Sequence, residues 1–271
     1  MANRGRPAGE DSRYWVSSVA RAAEVLETLA TAQPGHGMSV TEVAAACRLS
    51  KSAAFSTLYT LCQVGLVADD GDGMSRRYRL GMGLARLGWR AQSQVSLRDV
   101  ARPVLTGLTQ ATGLSSRLAV GESDHAVVVD QVTNGQRIQF DLRMGVRELP
   151  HCTGLGKALL AEMTDAQVTE LIARVGMPRR TGKTIVELDR LLAHLADVRQ
   201  LGYAVDDEED AEGIFCIGGA VHDHEGRCVG AVSVTGMKLD IPAWRLQEFG
   251  HAVRDAARRI SADLGHRDDA G

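Results

Sequence analysis

The chain has 271 residues, 44% hydrophobic and 24% charged, which suits a globular protein of one large domain or two ordinary ones. No apolar run is long enough to span a bilayer, no secretion-signal core follows the first residues, and Cys47, Cys62, Cys152, Cys216 and Cys228 form no Cys-x-x-Cys pair; a cytoplasmic protein with reduced thiols and no membrane partner is expected. The net charge of −3 is uneven, with 11 Lys and Arg against 8 Asp and Glu in residues 1–90 and 20 against 26 in the remainder, which suggests two domains with different partners.

The first periodic stretch is SVARAAEVLETLA, residues 18–30. Val19, Ala22, Ala23, Leu26 and Leu29 recur at helical spacing there, with Arg21, Glu24 and Glu27 on the other face. The turn AQPGHGMS breaks the pattern, and Ser39 or Thr41 can cap a short helix, TEVAAACRL. Ser50 is the next cap, opening KSAAFSTLYTLCQVGLV, which Gly65 ends. Ala54, Leu58, Leu61 and Cys62 form its inward stripe, leaving Lys51, Ser52, Ala53, Ser56, Thr57 and Thr60 near the outward face. Helix, short helix, tight turn and a helix with small outward residues is a helix-turn-helix pattern, able to enter a DNA groove about 12 Å wide. LVADDGDGMSRRYRL follows as two short strands around a Gly/Asp turn, a wing bearing Arg76 and Arg77. A helical bundle with a hairpin would share the periodicity; the wing directly after the third helix favours DNA binding. The tail segment Arg4-Gly5-Arg6-Pro7 has the extended basic form that lies in an A·T-rich minor groove, with an inert tail as the alternative.

LARLGWRAQSQ, residues 84–94, reads as a linker helix or dimer contact, its apolar residues being Leu84, Leu87 and Trp89. LRDVARPVLTGLTQATG is a further amphipathic helix. The strands SRLAV, AVVVDQV and RIQFDLRM come next, the last two joined through Asn134-Gly135, a hairpin signal. Helical stretches around 156–174 and 187–200 precede the strands IFCIGGAVHD and RCVGAVSVTG, and a last helix runs from about Pro242 to Leu264. The class is α+β, with a mainly antiparallel sheet in the larger part.

HCTGLGKALLAEM, from His151, carries a Gly-x-Gly-Lys run at a helix start. A nucleotide-binding P-loop would need glycine at 151 and a hydroxyl at 158, where His151 and Ala158 stand. Nucleoside triphosphate chemistry is therefore not expected, and no cofactor is. Gly154, Leu155 and Gly156 still bring free N–H groups and a positive helix end together, a site that suits a small carboxylate. Glycines that only let a helix pack closely on a sheet would look the same.

From Ser17 to Gly265 the sequence resembles the IclR family of bacterial transcription regulators. The resemblance rests on RAAEVLETLA, LSKSAAFSTLYTL followed by YRLG, ARPVL, LPHCTGLGKALLA, Thr181-x-x-Thr184, VRQLGYAVDDEE, AVSVTG and AARRISADLG, in that order. It implies an N-terminal winged helix-turn-helix, a C-terminal effector-binding domain like GAF sensors, and a dimer or tetramer that represses or activates catabolic operons. The implied partners are a double-stranded operator and a small-molecule effector. The implied division is a basic tail over 1–14, the DNA-binding domain over 15–80, a linker helix over 81–95, the effector domain over 96–265 and a tail over 266–271. The DNA-binding set is Lys51, Ser52, Ala53, Ser56, Thr57, Arg76 and Arg77. By position, the effector set is Gly154 and Leu155 as backbone donors, Asp206, Cys216, Ser233 and Thr235, with Arg137 and Phe140 on a hairpin over the pocket. Lys157 is expected to point to solvent. Many family members carry arginine where this chain has Ser56 and a bulky apolar residue where it has Thr57, so the operator sequence does not transfer. Leu155 stands where alanine is common, which trims the pocket.

Two other readings compete. Cys152 or Cys216 could serve a GAF-like thiol enzyme, which needs a lowered thiol pKa and a base in reach; His151 points away from Cys152 in an extended segment. His151, Cys152, Cys216, His222 and His224 could instead form a metal-responsive site, although HDHEG suits a solvated turn.

Overall fold

The computed structural model describes residues 14–33, 36–94, 96–122, 124–135, 145, 147–238 and 241–267. The chain divides into two compact units, Met1–Gln94 and Val95–Gly271.

In the first unit, α1 (Ser17–Ala30), α2 (Val40–Ala46) and α3 (Lys51–Gln63) enclose a small core of Val25, Leu29, Val43, Leu58 and Leu61. Ser39 is the cap of α2 in a reciprocal box with Glu42, and the Ser50 hydroxyl accepts from Ala53 N at 3.2 Å to start α3. Between the two helices Arg48 adopts φ 53°, the left-handed conformation that helps to turn the chain within the four residues Cys47 to Ser50. β1 (Val67–Asp70) and β2 (Arg77–Leu80) pair antiparallel to form the wing, and Tyr78 closes the core beneath it. α4 (Met82–Gln94) ends the unit; the side chain of Trp89 lies outside the described residues, as do Arg4-Gly5-Arg6-Pro7.

Among the described residues the second unit is built on a six-stranded antiparallel sheet in the order β5-β4-β3-β8-β7-β6. Its strands are β3 (Ser115–Glu122), β4 (His125–Val132), β5 (Arg147–Glu148), β6 (Ala204–Asp207), β7 (Ile214–His222) and β8 (Cys228–Met237). α5 (Leu97–Thr112) and α9 (Ala243–Asp263) cover one face. Leu118, Phe215, Ile217, Val221, Val232 and Val234 pack there against Leu105, Val253 and Ile260. The opposite face, through Ala119, Ala204 and Ala231, receives α6 (Gly154–Ala161), α7 (Asp165–Val175) and α8 (Leu188–Leu201). Strand alternation thus sends large apolar residues one way and small or polar ones the other.

The single helical stretch expected over 156–174 is two helices. Thr164 breaks it by forming a capping box with Gln167, which starts α7 afresh. β5 and β6 were not foreseen; two and four residues are too few for a periodic signal. The expected strand RIQFDLRM, with Arg137 and Phe140, lies outside the described residues.

Candidate DNA-binding and effector-binding sites

α3 exposes Lys51, Ser52 and Ser56, with Ala53 and Thr57 half-buried, while Ala54, Leu58 and Leu61 are buried as the spacing requires. The Ser56 and Thr57 hydroxyls each donate to the carbonyl four residues back, at 2.9 Å, so they present lone pairs outward. Beside them runs an open groove of about 440 Å³ lined by Ser18 and Arg21 of α1 and Ser52, Ser56, Thr57 and Thr60 of α3. Phe55 and Tyr59, exposed and stacked with ring centroids 6.3 Å apart, also belong to this helix face. They were placed on neither face from sequence; their spacing from Lys51, four and eight residues on, was the available signal. On the wing, Arg76 pairs with Asp69, holding its carboxyl below the usual range, and Arg77 reaches Glu42 at 2.6 Å. Both guanidinium groups remain partly exposed.

In the second unit the predicted residues fall into register on the face that α6 covers. One row across the sheet is Arg117, Ser233, Gly218 and Ala204; the next is Ser115, Thr235, Cys216 and Asp206. Ser233 and Thr235, two apart on β8, therefore stand beside Cys216 and, through it, Asp206. α6 comes down onto this face because three residues lack side chains. A Cβ on Gly218 would lie 2.2 Å from the Gly154 carbonyl oxygen, one on Gly154 would lie 2.8 Å from that of Cys216, and one on Gly156 would lie 2.6 Å from that of Leu149. Close packing and a helix start turned onto the sheet face are thus one feature. Thr153 caps α6 through Gly156 N at 3.0 Å, while Gly154 N and Leu155 N have no acceptor among the described residues.

The polar groups of this face are buried. Asp206 accepts Glu209 N at 2.7 Å and Asp210 N at 3.3 Å, which holds the turn after β6. Burial outweighs those bonds and pushes its carboxyl up to about 7. The Ser233 hydroxyl, fully buried, has no partner among the described residues. Thr235 lies 3.5 Å from Cys216 Sγ, and both receive hydrogen bonds from Arg117 Nη2, at 2.9 and 3.4 Å. Arg117 was not foreseen, although an arginine at the third position of the SSRLAV strand, in step with Ser115 and Ala119, was the available signal. Its carboxylate partner is Glu148 of β5.

Lys157 corrects an expectation. It is fully buried rather than solvent-facing, its ammonium donating to the Val205 carbonyl at 2.6 Å and pairing with Glu209. The short α6 lies flat on the sheet, so its first turn has no solvent side. Thr181 and Thr184 donate to the carbonyls of Glu208 and Glu209, both at 2.7 Å, tying the preceding loop to the same turn.

The thiols are unsuited to nucleophilic chemistry. Burial raises all five, Cys228 to about 11, and Cys216 is raised even beside Arg117. His151 Nε2 faces the Pro178 carbonyl at 3.1 Å while the Cys152 thiol faces the Asp210 carboxylate, so His151 does not serve that thiol and the neighbouring negative charge helps to raise it. His222 bonds Glu162 at 2.7 Å, His224 faces Glu225, and among the described residues no three metal-ligating side chains converge.

A winged helix-turn-helix followed by a sheet with a polar patch under a helix N-terminus defines a ligand-responsive transcription regulator. Two family models match: the IclR helix-turn-helix domain over residues 18–71, and the bacterial transcriptional regulator IclR C-terminal domain over residues 90–262. The chain is 31% identical over 268 residues to the HTH-type transcriptional regulator KdgR of Escherichia coli K12, covering 99% of each. It is 30% identical over 252 residues to the transcriptional repressor IclR of the same strain, covering 92% of this chain and 90% of that one. The crystal structure of Agobacterium tumefaciens repressor BlcR shares the fold, with a TM-score of 0.81 at 24% identity, covering 93% of this chain and 99% of that one. The chain belongs to the IclR family of bacterial transcriptional regulators. It is a regulator and not an enzyme, with a DNA-binding helix-turn-helix and an effector-binding C-terminal domain. No helix among the described residues is long and apolar enough to cross a membrane.

Proposed function

We propose that this protein is a cytoplasmic repressor that binds its operator as a dimer or tetramer and responds to a small carboxylate. Residues 15–80 bind DNA, 81–95 link, and 96–265 hold the effector. The observation that carries the effector reading is the row of Thr235, Cys216 and Asp206, with Ser233 in the adjacent row, beside the unpaired amides of Gly154 and Leu155. Helix-start amides and hydroxyl donors favour an anion, and Asp206 orients a ligand hydroxyl or the loop itself.

On the DNA side, Lys51, Ser52, Ala53, Ser56 and Thr57 enter the major groove. Phe55 and Tyr59 offer apolar contact to thymine methyl groups, and Arg76 and Arg77 take backbone or minor-groove positions. One recognition helix reads too few base pairs alone, so a dimer on a two-fold-symmetric site follows. Repeated selection from random duplexes tests this: an inverted repeat is expected to emerge. Binding that is only salt-sensitive and indifferent to sequence would contradict it.

A further inference from the structure

Arg117 is a charged residue in a strand of small and apolar residues, and its side chain is only 7% exposed. Removing a guanidinium from water is costly unless every N–H finds a partner. Glu148 bonds Nη1 through one oxygen, and Thr235 and Cys216 receive Nη2. The set is incomplete. Arg117 Nε, Glu148 Oε2 and the Ser233 hydroxyl are buried without a hydrogen-bond partner among the described residues. Ser233 stands directly across from Arg117 in the β3–β8 register, so two unused donors share one spot on the sheet face. An ion pair that served stability alone would place both carboxylate oxygens on the guanidinium fork; Glu148 uses one.

We infer that Arg117 is the anchor for the effector's carboxylate, and that Glu148 holds this position in the ligand-free protein and is displaced when the effector binds. The inference rests on the carboxylate reading above. The incoming carboxylate accepts from Arg117 and from Ser233, and no covalent bond changes. Charge requires an exchange rather than an addition. Lys157 is committed to Glu209, and the Cys216 thiol feels Arg117, Glu148 and Asp206 together. A ligand carboxylate added with Glu148 in place would set a second buried carboxylate against one guanidinium, close to Glu148. Glu148 also has a route out, because β5 is two residues long and is, among the described residues, the edge strand of the sheet. The next residue, Leu149, accepts from the Thr153 hydroxyl at 2.9 Å, so movement of Glu148 reaches the cap of α6.

The test is thermal stabilisation of the full-length protein by acetate, propionate, glycolate and lactate, each against its uncharged amide. Glu148→Gln removes the competitor and keeps the side-chain shape. It is expected to lower the half-saturating carboxylate concentration by at least about tenfold, since a like charge beside the ligand is gone. Arg117→Gln alone strands Glu148 and is prone to misfold, so the neutral pair Arg117→Gln/Glu148→Gln is compared; it should lose the preference for carboxylate over amide. If carboxylates stabilise that neutral pair as well as wild type and fail only with Ser233→Ala/Thr235→Val, the site stands and the Arg117 anchor is overturned. If amides and carboxylates act alike on every form, or neither acts even on Glu148→Gln, the carboxylate reading falls and the anchor with it.

Discussion

Asp206 shows what a single buried carboxyl contributes. Its pKa stands at about 7 in the folded chain against 3.8 for an ordinary aspartate. Between those values the native protein keeps a proton that the unfolded chain has lost, so this group's contribution to stability falls as pH rises through the window. His194 works the other way: burial lowers its pKa to about 4, and its contribution grows with pH from there to 6.5. Asp206→Asn keeps an oxygen for Glu209 N and Asp210 N while removing the titration. The melting temperature of wild type relative to this variant is expected to fall between pH 5 and about 7.5, and thermal melts across that range measure it. A constant difference would mean that Asp206 is ionised throughout. Cys216→Ser is expected to leave ligand binding largely intact, because its thiol acts as a neutral hydrogen-bonding group.

Among the elements, α6 and the wing give the clearest expectations. Gly218→Ala would drive a methyl group to 2.2 Å from a backbone oxygen of α6, which cannot rotate away. It should cost at least the ~1–3 kcal/mol of ordinary overpacking, read from denaturant unfolding of the full-length protein. In the wing, Arg76→Ala/Arg77→Ala is expected to weaken binding to all duplexes and to reduce the salt slope by about 0.9 per lost phosphate contact. Substitution of Ser56 or Thr57 should instead change which operator variants are tolerated, measured by titrating single-base variants. An arginine pair that altered base preference at unchanged salt slope would reverse these roles.

Legibility in the sequence followed the range of the interaction. The caps Ser39 and Ser50, the stripe Ala54, Leu58 and Leu61, and the glycines before Lys157 are local, and each was readable. The break at Thr164 was equally local, since Thr-x-x-Gln is a capping box, but the apolar run across it masked the signal. Lys157 with Glu209 and Arg117 with Glu148 join residues 52 and 31 apart, and only the strand order brings them together. Lys157 was misplaced for that reason: helical spacing says nothing about a short helix laid flat on a sheet. The identity of the effector set came from family resemblance, and the sheet register supplies a physical ground for it by aligning Asp206, Cys216 and Thr235 in one row.

In the proposed function the whole molecule couples a small anion to DNA. Coupling requires that the effector bind one arrangement of the oligomer better than another, and about 1–3 kcal/mol of difference changes operator occupancy many-fold. The most direct measurement is a titration of the selected operator at fixed ionic strength, with and without the stabilising carboxylate, on wild type and on Ser233→Ala/Thr235→Val. The carboxylate is expected to shift the wild-type midpoint several-fold, while the double variant binds operator but no longer responds. A double variant that responds as wild type does would place the effector elsewhere, and a wild-type midpoint unmoved at saturating carboxylate would contradict the coupling itself.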